Sequence, residues 1–232
     1  MLDCRLEKQR RDYRVVIELA TERARVALFG PSGSGKSTVL ACLAGLAVPD
    51  GGYIRWQGER WFPPALPLHR RALGYLSQHE TLFPHLSVAD NVLFALRDKR
   101  QGANGPWVSE LRERLHLDPL WHSRPHQLSG GQARRVALAR TLARQPGLVL
   151  LDEPFTGLDR PLVRELTNTL KTWQERLGFT LIAVDHDPLM LQDLCPTVIA
   201  MDEGRVIQQG SWTDLRHAPA NDRLRALLDL PV

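Results

Sequence analysis

Residues 24–46, ARVALF-GPSGSGKST-VLACLAGL, constrain this chain more than any other stretch. A short apolar run with a β-branched residue enters a turn with glycines at 30, 33 and 35, and an apolar run of helical composition follows. Strand, glycine-rich turn and helix in that order allow backbone amides to point inward around an anion, because glycine tolerates the backbone angles required. The turn matches G-x-x-x-x-G-K-[ST] at Gly30, Gly35, Lys36 and Ser37. There the positive helix end adds field, Lys36 reaches the β/γ-phosphates, and the Ser37 hydroxyl ligates Mg²⁺. The phosphate-binding residues expected are Gly30, Pro31, Ser32, Gly33, Ser34, Gly35, Lys36, Ser37 and Thr38.

A second segment supplies carboxylates. LVLLDEP (148–154) is a continuous apolar run of strand length, the pattern of a parallel strand buried on both faces. It ends in Asp152 and Glu153. Ligands of open α/β sheets bind at the carboxyl ends of such strands, so the two carboxylates belong beside the phosphate loop. Asp152 is the candidate Mg²⁺ holder, and Glu153 the candidate base that polarises the attacking water. A third signal is LSGGQ (128–132), in which Ser129, Gly130 and Gly131 precede a helix. A hydroxyl, free amides and a helix dipole make a second anion site, although the same residues also describe an ordinary helix cap. Two phosphate sites in one chain suggest a nucleotide held by the first loop of one subunit and LSGGQ of another.

The remaining pattern is α/β. TLIAVDH (180–186) reads as another buried strand and ALGYLSQ (72–78) as a further one. Residues 52–61 alternate and read as antiparallel strands turning at Gly58. VIAMDEGRVIQQG (198–210) reads as a hairpin turning at Glu203–Gly204. Ser87, with Asp90 three residues on, caps a helix over VADNVLFALR. A second helix is expected near 107–116, a third is entered through Gly130 and Gly131, and a fourth runs from Pro161 to Leu177. Closing helices are expected in 211–229.

Composition adds exclusions. Charged residues make up 24%, and a net charge of +4 rests on scattered pairs such as Arg134–Arg135, so no nucleic-acid partner is indicated. Cys4, Cys42 and Cys195 lack paired spacing and read as reduced thiols. The charged N-terminus has no apolar core of a signal peptide, and no run reaches the ~18 residues that span a bilayer.

The order of these motifs resembles the nucleotide-binding subunit of an ABC transporter: Gly30–Thr38, Gln78, LSGGQ, LLDEP, TGLD at 156–159, then His186. The resemblance implies an α/β fold with a P-loop NTPase core, a mostly parallel sheet, an antiparallel β patch and a helical subdomain at about 87–145. It implies one domain over 1–232 without a C-terminal regulatory domain, and ATP and Mg²⁺ as cofactors. Gln78 corresponds to the glutamine that touches Mg²⁺ and the attacking water, Asp159 to an aspartate at the subunit boundary, and His186 to a histidine that contacts the γ-phosphate. The family stacks adenine on an aromatic upstream of the loop; residues 5–12 contain none, and Tyr13 falls a few residues late. Asp185 stands where Ser or Thr is common.

Within the family, ETLFPHLSVADNVLFAL (80–96) is similar to importer subunits for small solutes and ions, where it helps to receive the membrane subunit. LDRPLVREL is similar to molybdate importers, and the chain length to thiamine importers. The implied partners are a second ATPase subunit in a homodimer, transmembrane permease subunits and a solute-binding protein. The implied location is the cytoplasmic face of the inner (plasma) membrane, as a peripheral subunit. A soluble ABC ATPase and an exporter ATPase are the alternatives. The 51 residues from Gln78 to Ser129 leave little room for the coiled-coil insert of the soluble type.

Overall fold

The computed structural model describes residues 1–21, 25–78, 82–96, 103 and 105–228. Its first element is an antiparallel pair, β1 (Leu2–Gln9) and β2 (Arg14–Thr21). The sequence reading assigns no strand here. Charged positions such as Asp3, Arg5 and Glu7 hide a period-two set of buried residues: Leu2, Cys4 and Leu6, then Val15, Ile17 and Leu19.

β3 (Arg25–Phe29) leads through the glycine-rich turn into α1 (Lys36–Ala44). The expected antiparallel patch follows as β4 (Gly51–Trp56) and β5 (Glu59–Phe62), and Gln57 and Gly58 make the turn with positive φ of 51° and 84°. After β6 (Leu73–Leu76) come three helices, α2 (Val88–Leu93), α3 (Pro106–Arg114) and α4 (Gly130–Leu142). The Ser87 hydroxyl accepts from the Asp90 amide at 3.0 Å, as expected. That helix ends sooner than the sequence suggests, at Leu93, and Arg97 lies outside the described residues.

β7 (Leu148–Asp152), α5 (Arg160–Leu177), β8 (Thr180–Val184) and α6 (Pro188–Leu194) alternate as expected. β9 (Thr197–Asp202) and β10 (Arg205–Ser211) form the hairpin at Glu203–Gly204, and α7 (Trp212–His217) and α8 (Asp222–Leu227) follow.

The described strands join one sheet in the order β5-β4-β1-β2-β10-β9-β3-β8-β7-β6. Its centre, β9-β3-β8-β7-β6, is parallel. Both faces of the central strands are covered, which explains their unbroken apolar runs. One face carries Val26, Leu28, Leu150 and Ile182 and packs on α1 and the antiparallel patch. The other carries Ala27, Phe29, Val149 and Leu181 and packs on the helices. The helix α4 sends Val136 and Ala139, and its C-cap Ala143, into this second core. The three cysteines are free and buried, and burial pushes the Cys4 thiol up to about 12 and Cys42 to about 11. Among the described residues, no helix is long and apolar enough to cross a membrane.

Candidate active site

Four neighbouring parallel strands, β3, β8, β7 and β6, end on one edge, and the candidate residues follow their carboxyl ends. The loop after β3 is shaped by its neighbours as much as by a ligand. A Cβ on Gly30 would lie 2.0 Å from the Met201 carbonyl of β9, so no other residue fits. Gly35, the N-cap of α1, has φ of 101° and faces Val15 and Gly204. The Gly204 amide donates to the Ser34 carbonyl at 3.1 Å, which ties the β9–β10 turn to the loop. Lys36 turns its ammonium onto the carbonyls of Gly30 (2.9 Å) and Pro31 (2.8 Å) and onto the Ser34 hydroxyl (3.3 Å). Burial lowers the Lys36 pKa, although Asp152 and Glu153 pull it up.

The carboxylates meet the loop as the sequence suggests. Asp152 is buried, which raises its pKa, and a hydrogen bond from the Ser37 hydroxyl opposes that rise. Glu153 adopts a left-handed φ of 50°. The Gln78 side-chain amide, after β6, donates to Glu153 Oε1 at 3.2 Å, and the Thr156 hydroxyl donates to Oε2 at 3.2 Å. His186 stands after β8 with its side chain 76% exposed, and its Nδ1 is 3.3 Å from Asp185 Oδ1. That same oxygen accepts the amides of His186 (2.8 Å) and Asp187 (3.0 Å). Asp185 therefore shapes the turn that presents the imidazole. Burial raises its pKa.

LSGGQ lies apart from this group. Ser129 and Gln132 form a reciprocal capping box on α4: the Ser129 hydroxyl accepts the Gln132 amide, and Gln132 Oε1 accepts the Ser129 amide at 2.8 Å. Gly130 faces open space, and Gly131 packs on Gly157 and Leu158. Among the described residues, no hydrogen bond joins Ser129, Gly130 or Gly131 to the phosphate loop. Asp159 is exposed and caps α5, accepting the Leu162 amide at 2.9 Å. Its only described contact is therefore within its own helix turn.

Tyr13 lies outside the strands, in the loop between β1 and β2. With Pro31, Ser32, Gly33 and Ser34 it lines a cavity of about 840 Å³ beside the phosphate loop. A wider cleft of about 1240 Å³ between β2 and β10 holds none of the expected site residues.

One central residue has no signal in the sequence. Arg134, 1% exposed, donates to the carbonyls of Ser77 (2.7 Å), Gln78 (3.0 Å), Pro154 (3.2 Å), Asp152 and Glu153. In the sequence it is one half of an Arg-Arg pair on a polar helix turn.

Comparison with known proteins bears on the whole arrangement. Residues 19–156 match the family model of the ABC transporter. The probable sulfate/thiosulfate import ATP-binding protein CysA of Chlorella vulgaris is 39% identical over 207 residues, covering 88% of this chain and 87% of that protein. The sulfate/thiosulfate import ATP-binding protein CysA of Pseudomonas putida is 41% identical over 204 residues, covering 85% of this chain and 61% of its own length. An Fe(3+) ions import ATP-binding protein of Pseudomonas fluorescens is 40% identical over 199 residues, covering 84% and 56%. The chain thus spans less than two thirds of these two bacterial relatives.

Among solved structures, the dimeric post-hydrolysis state of an ATP-binding cassette bound to ADP and Pi superposes with a TM-score of 0.78. It is 27% identical and covers 91% of this chain and 98% of that one. Sequence, fold and site geometry agree, and the chain belongs to the ABC transporter family, as an ATP-binding cassette of the kind found in import systems.

Proposed function

We propose that this chain is the ATPase subunit of a solute importer. The observation that carries the reading is the hydrogen bond from the Gln78 amide to the Glu153 carboxylate beside the phosphate loop. Gly30–Thr38 hold the nucleotide phosphates, Lys36 contacts the β/γ-phosphates, and Tyr13 packs against the base in the adjoining cavity. Ser37, Asp152 and Gln78 would hold Mg²⁺. A hydroxyl, a carboxylate and an amide are hard oxygen donors, and they are few, which suits an ion that keeps waters and phosphate oxygens as ligands. When bound there, Mg²⁺ would supply neutralisation of charge on the phosphates.

Glu153 takes the proton of the attacking water, and the Gln78 amide orients its carboxylate. His186, exposed at the next strand end, reaches the γ-phosphate. Ser129, Gly130 and Gly131 complete the nucleotide site of a second subunit, with Asp159 at the boundary. Their separation from the phosphate loop within one protomer supports that arrangement.

The partners are a second copy, transmembrane permease subunits and a solute-binding protein, at the cytoplasmic face of the membrane. The names of the relatives favour sulfate or thiosulfate as cargo, before iron, over thiamine or molybdate. Half-buried Phe83 and 53%-exposed Phe94, with ring centroids 4.6 Å apart, form part of the surface for the permease.

The test is a Glu153→Gln variant followed by light scattering and turnover. General-base assistance is worth on the order of 10² to 10⁴ in rate, so hydrolysis falls by about that much while ATP drives dimers. Ser129→Arg in the same background keeps ATP binding and abolishes the dimer. Glu153→Gln that hydrolyses ATP at the parent rate, or stays monomeric at saturating ATP, overturns the reading.

A further inference from the structure

Two buried arginines donate to main-chain carbonyls, and they do different things. Arg71 donates to the carbonyls of Cys42 (3.1 Å), Leu43 (2.7 Å), Leu66 (3.0 Å) and Trp61 (3.4 Å), closing the C-terminal end of α1. None of its acceptors belongs to the candidate site. Arg134 reaches two segments at once. From the first turns of α4 it grips the chain after β6 at Ser77 and Gln78, and the end of β7 at Asp152, Glu153 and Pro154.

A buried cation is expensive to desolvate, and it persists when its donors are satisfied with good geometry. Guanidinium has five N–H donors in a rigid plane, and here five main-chain carbonyls receive them. The acceptors are the backbones of the two residues whose side chains meet, Gln78 and Glu153. Glu153 also sits in a left-handed conformation that a non-glycine residue adopts at the cost of strain, and it persists only when neighbours over-determine it. Its amide is held by the Val184 carbonyl at 2.8 Å and its carbonyl by Arg134.

We propose that Arg134 is a positioning residue for hydrolysis. It sets the main chain of Gln78 and Glu153 so that the carboxylate is aimed at its water. It also fastens that pair to the start of α4, where Ser129 begins the second anion site. The poise of the carboxylate and the seating of α4 on a partner's nucleotide then move as one unit. This rests on Glu153 acting as the base.

The test compares Arg134→Lys, Arg134→Gln and Arg71→Lys by ATP affinity in EDTA, steady-state turnover and thermal melting. Lysine keeps the charge but is a point donor that cannot bridge both segments. Arg134→Lys and Arg134→Gln are expected to lower kcat at least tenfold, with ATP affinity within twofold of the parent. Arg71→Lys lowers the melting temperature and leaves kcat of the folded fraction within twofold. Glutamine is included because it removes the buried charge and so tolerates imperfect pairing.

Parent-like kcat in a folded Arg134 variant overturns the proposal. So does a loss that tracks melting temperature alone, equal losses in kcat and ATP affinity, or failure of both variants to fold. Glu153→Gln is assayed alongside. A parent-like rate there removes the assigned base, whereas a parent-like rate in Arg134→Lys beside an impaired Glu153→Gln removes only the positioning role.

Discussion

The starts of α1 and α4 are both glycine-rich, yet they treat their first amides in opposite ways. The N-cap of α1, Gly35, is left-handed and has no side chain to cap anything. The N-cap of α4, Ser129, is extended, and with Gln132 it satisfies two backbone amides reciprocally. The first helix directs a positive end and Lys36 at its loop. The second has already closed part of its own end. A phosphate that seats on α4 competes with the capping box, so under the proposed function α4 would be a subsidiary contact to a nucleotide held chiefly by α1.

The largest effect expected from this difference is at Lys36. Removing its ammonium with Lys36→Ala deletes charge-assisted hydrogen bonds worth about 1.5–3 kcal/mol. ATP affinity then falls about tenfold to a hundredfold, as read by equilibrium titration. An affinity within twofold of the parent would mean that the α1 amides alone carry the phosphates.

A smaller effect is expected at α4. Ser129→Ala removes the cap and lowers stability by about 1 kcal/mol in a denaturant titration. ATP affinity of the monomer stays unchanged. A matching loss of monomer affinity would show that the two helix starts share one nucleotide within a subunit.

The smallest effect is in the pH dependence. Burial lowers the Lys36 pKa below 10.5, so the folded protein releases that proton earlier than the unfolded chain. Phosphates favour the charged ammonium. ATP affinity therefore holds at neutral pH and declines as pH rises through the lowered pKa, and the decline is missing in Lys36→Ala. Titrations from about pH 7 to 10 read it, and identical profiles would place another group in control.

The two starts were not equally legible in sequence. GPSGSGKST between an apolar strand and an apolar helix announces its chemistry, because the residues that bind are consecutive. LSGGQ reads equally as a helix cap and as an anion site, and the structure shows the cap. Arg134 was invisible for a different reason. Its acceptors at Ser77, Gln78 and Asp152–Pro154 are carbonyls, which every residue has, so composition carries no trace of them. The N-terminal hairpin has a period-two pattern in β1 that the reading of the charged N-terminus passes over.

What the residues determined by themselves is local. Unbroken apolar runs at 148–151 and 181–184 demand burial on both faces and so a parallel centre. Glycines next to positive-φ positions at 57–58 and 203–204 demand tight hairpins. The order of motifs identifies the family. What only the tertiary structure decided is which distant segments touch. Gly30 is obligatory because β9 brings the Met201 carbonyl against it. Tyr13 reaches the phosphate loop because the turn between β1 and β2 folds beside it. Gln78 meets Glu153 because β6 pairs with β7 across 75 residues of chain. Pairing of parallel strands is set by burial over the whole sheet, and no local pattern encodes it.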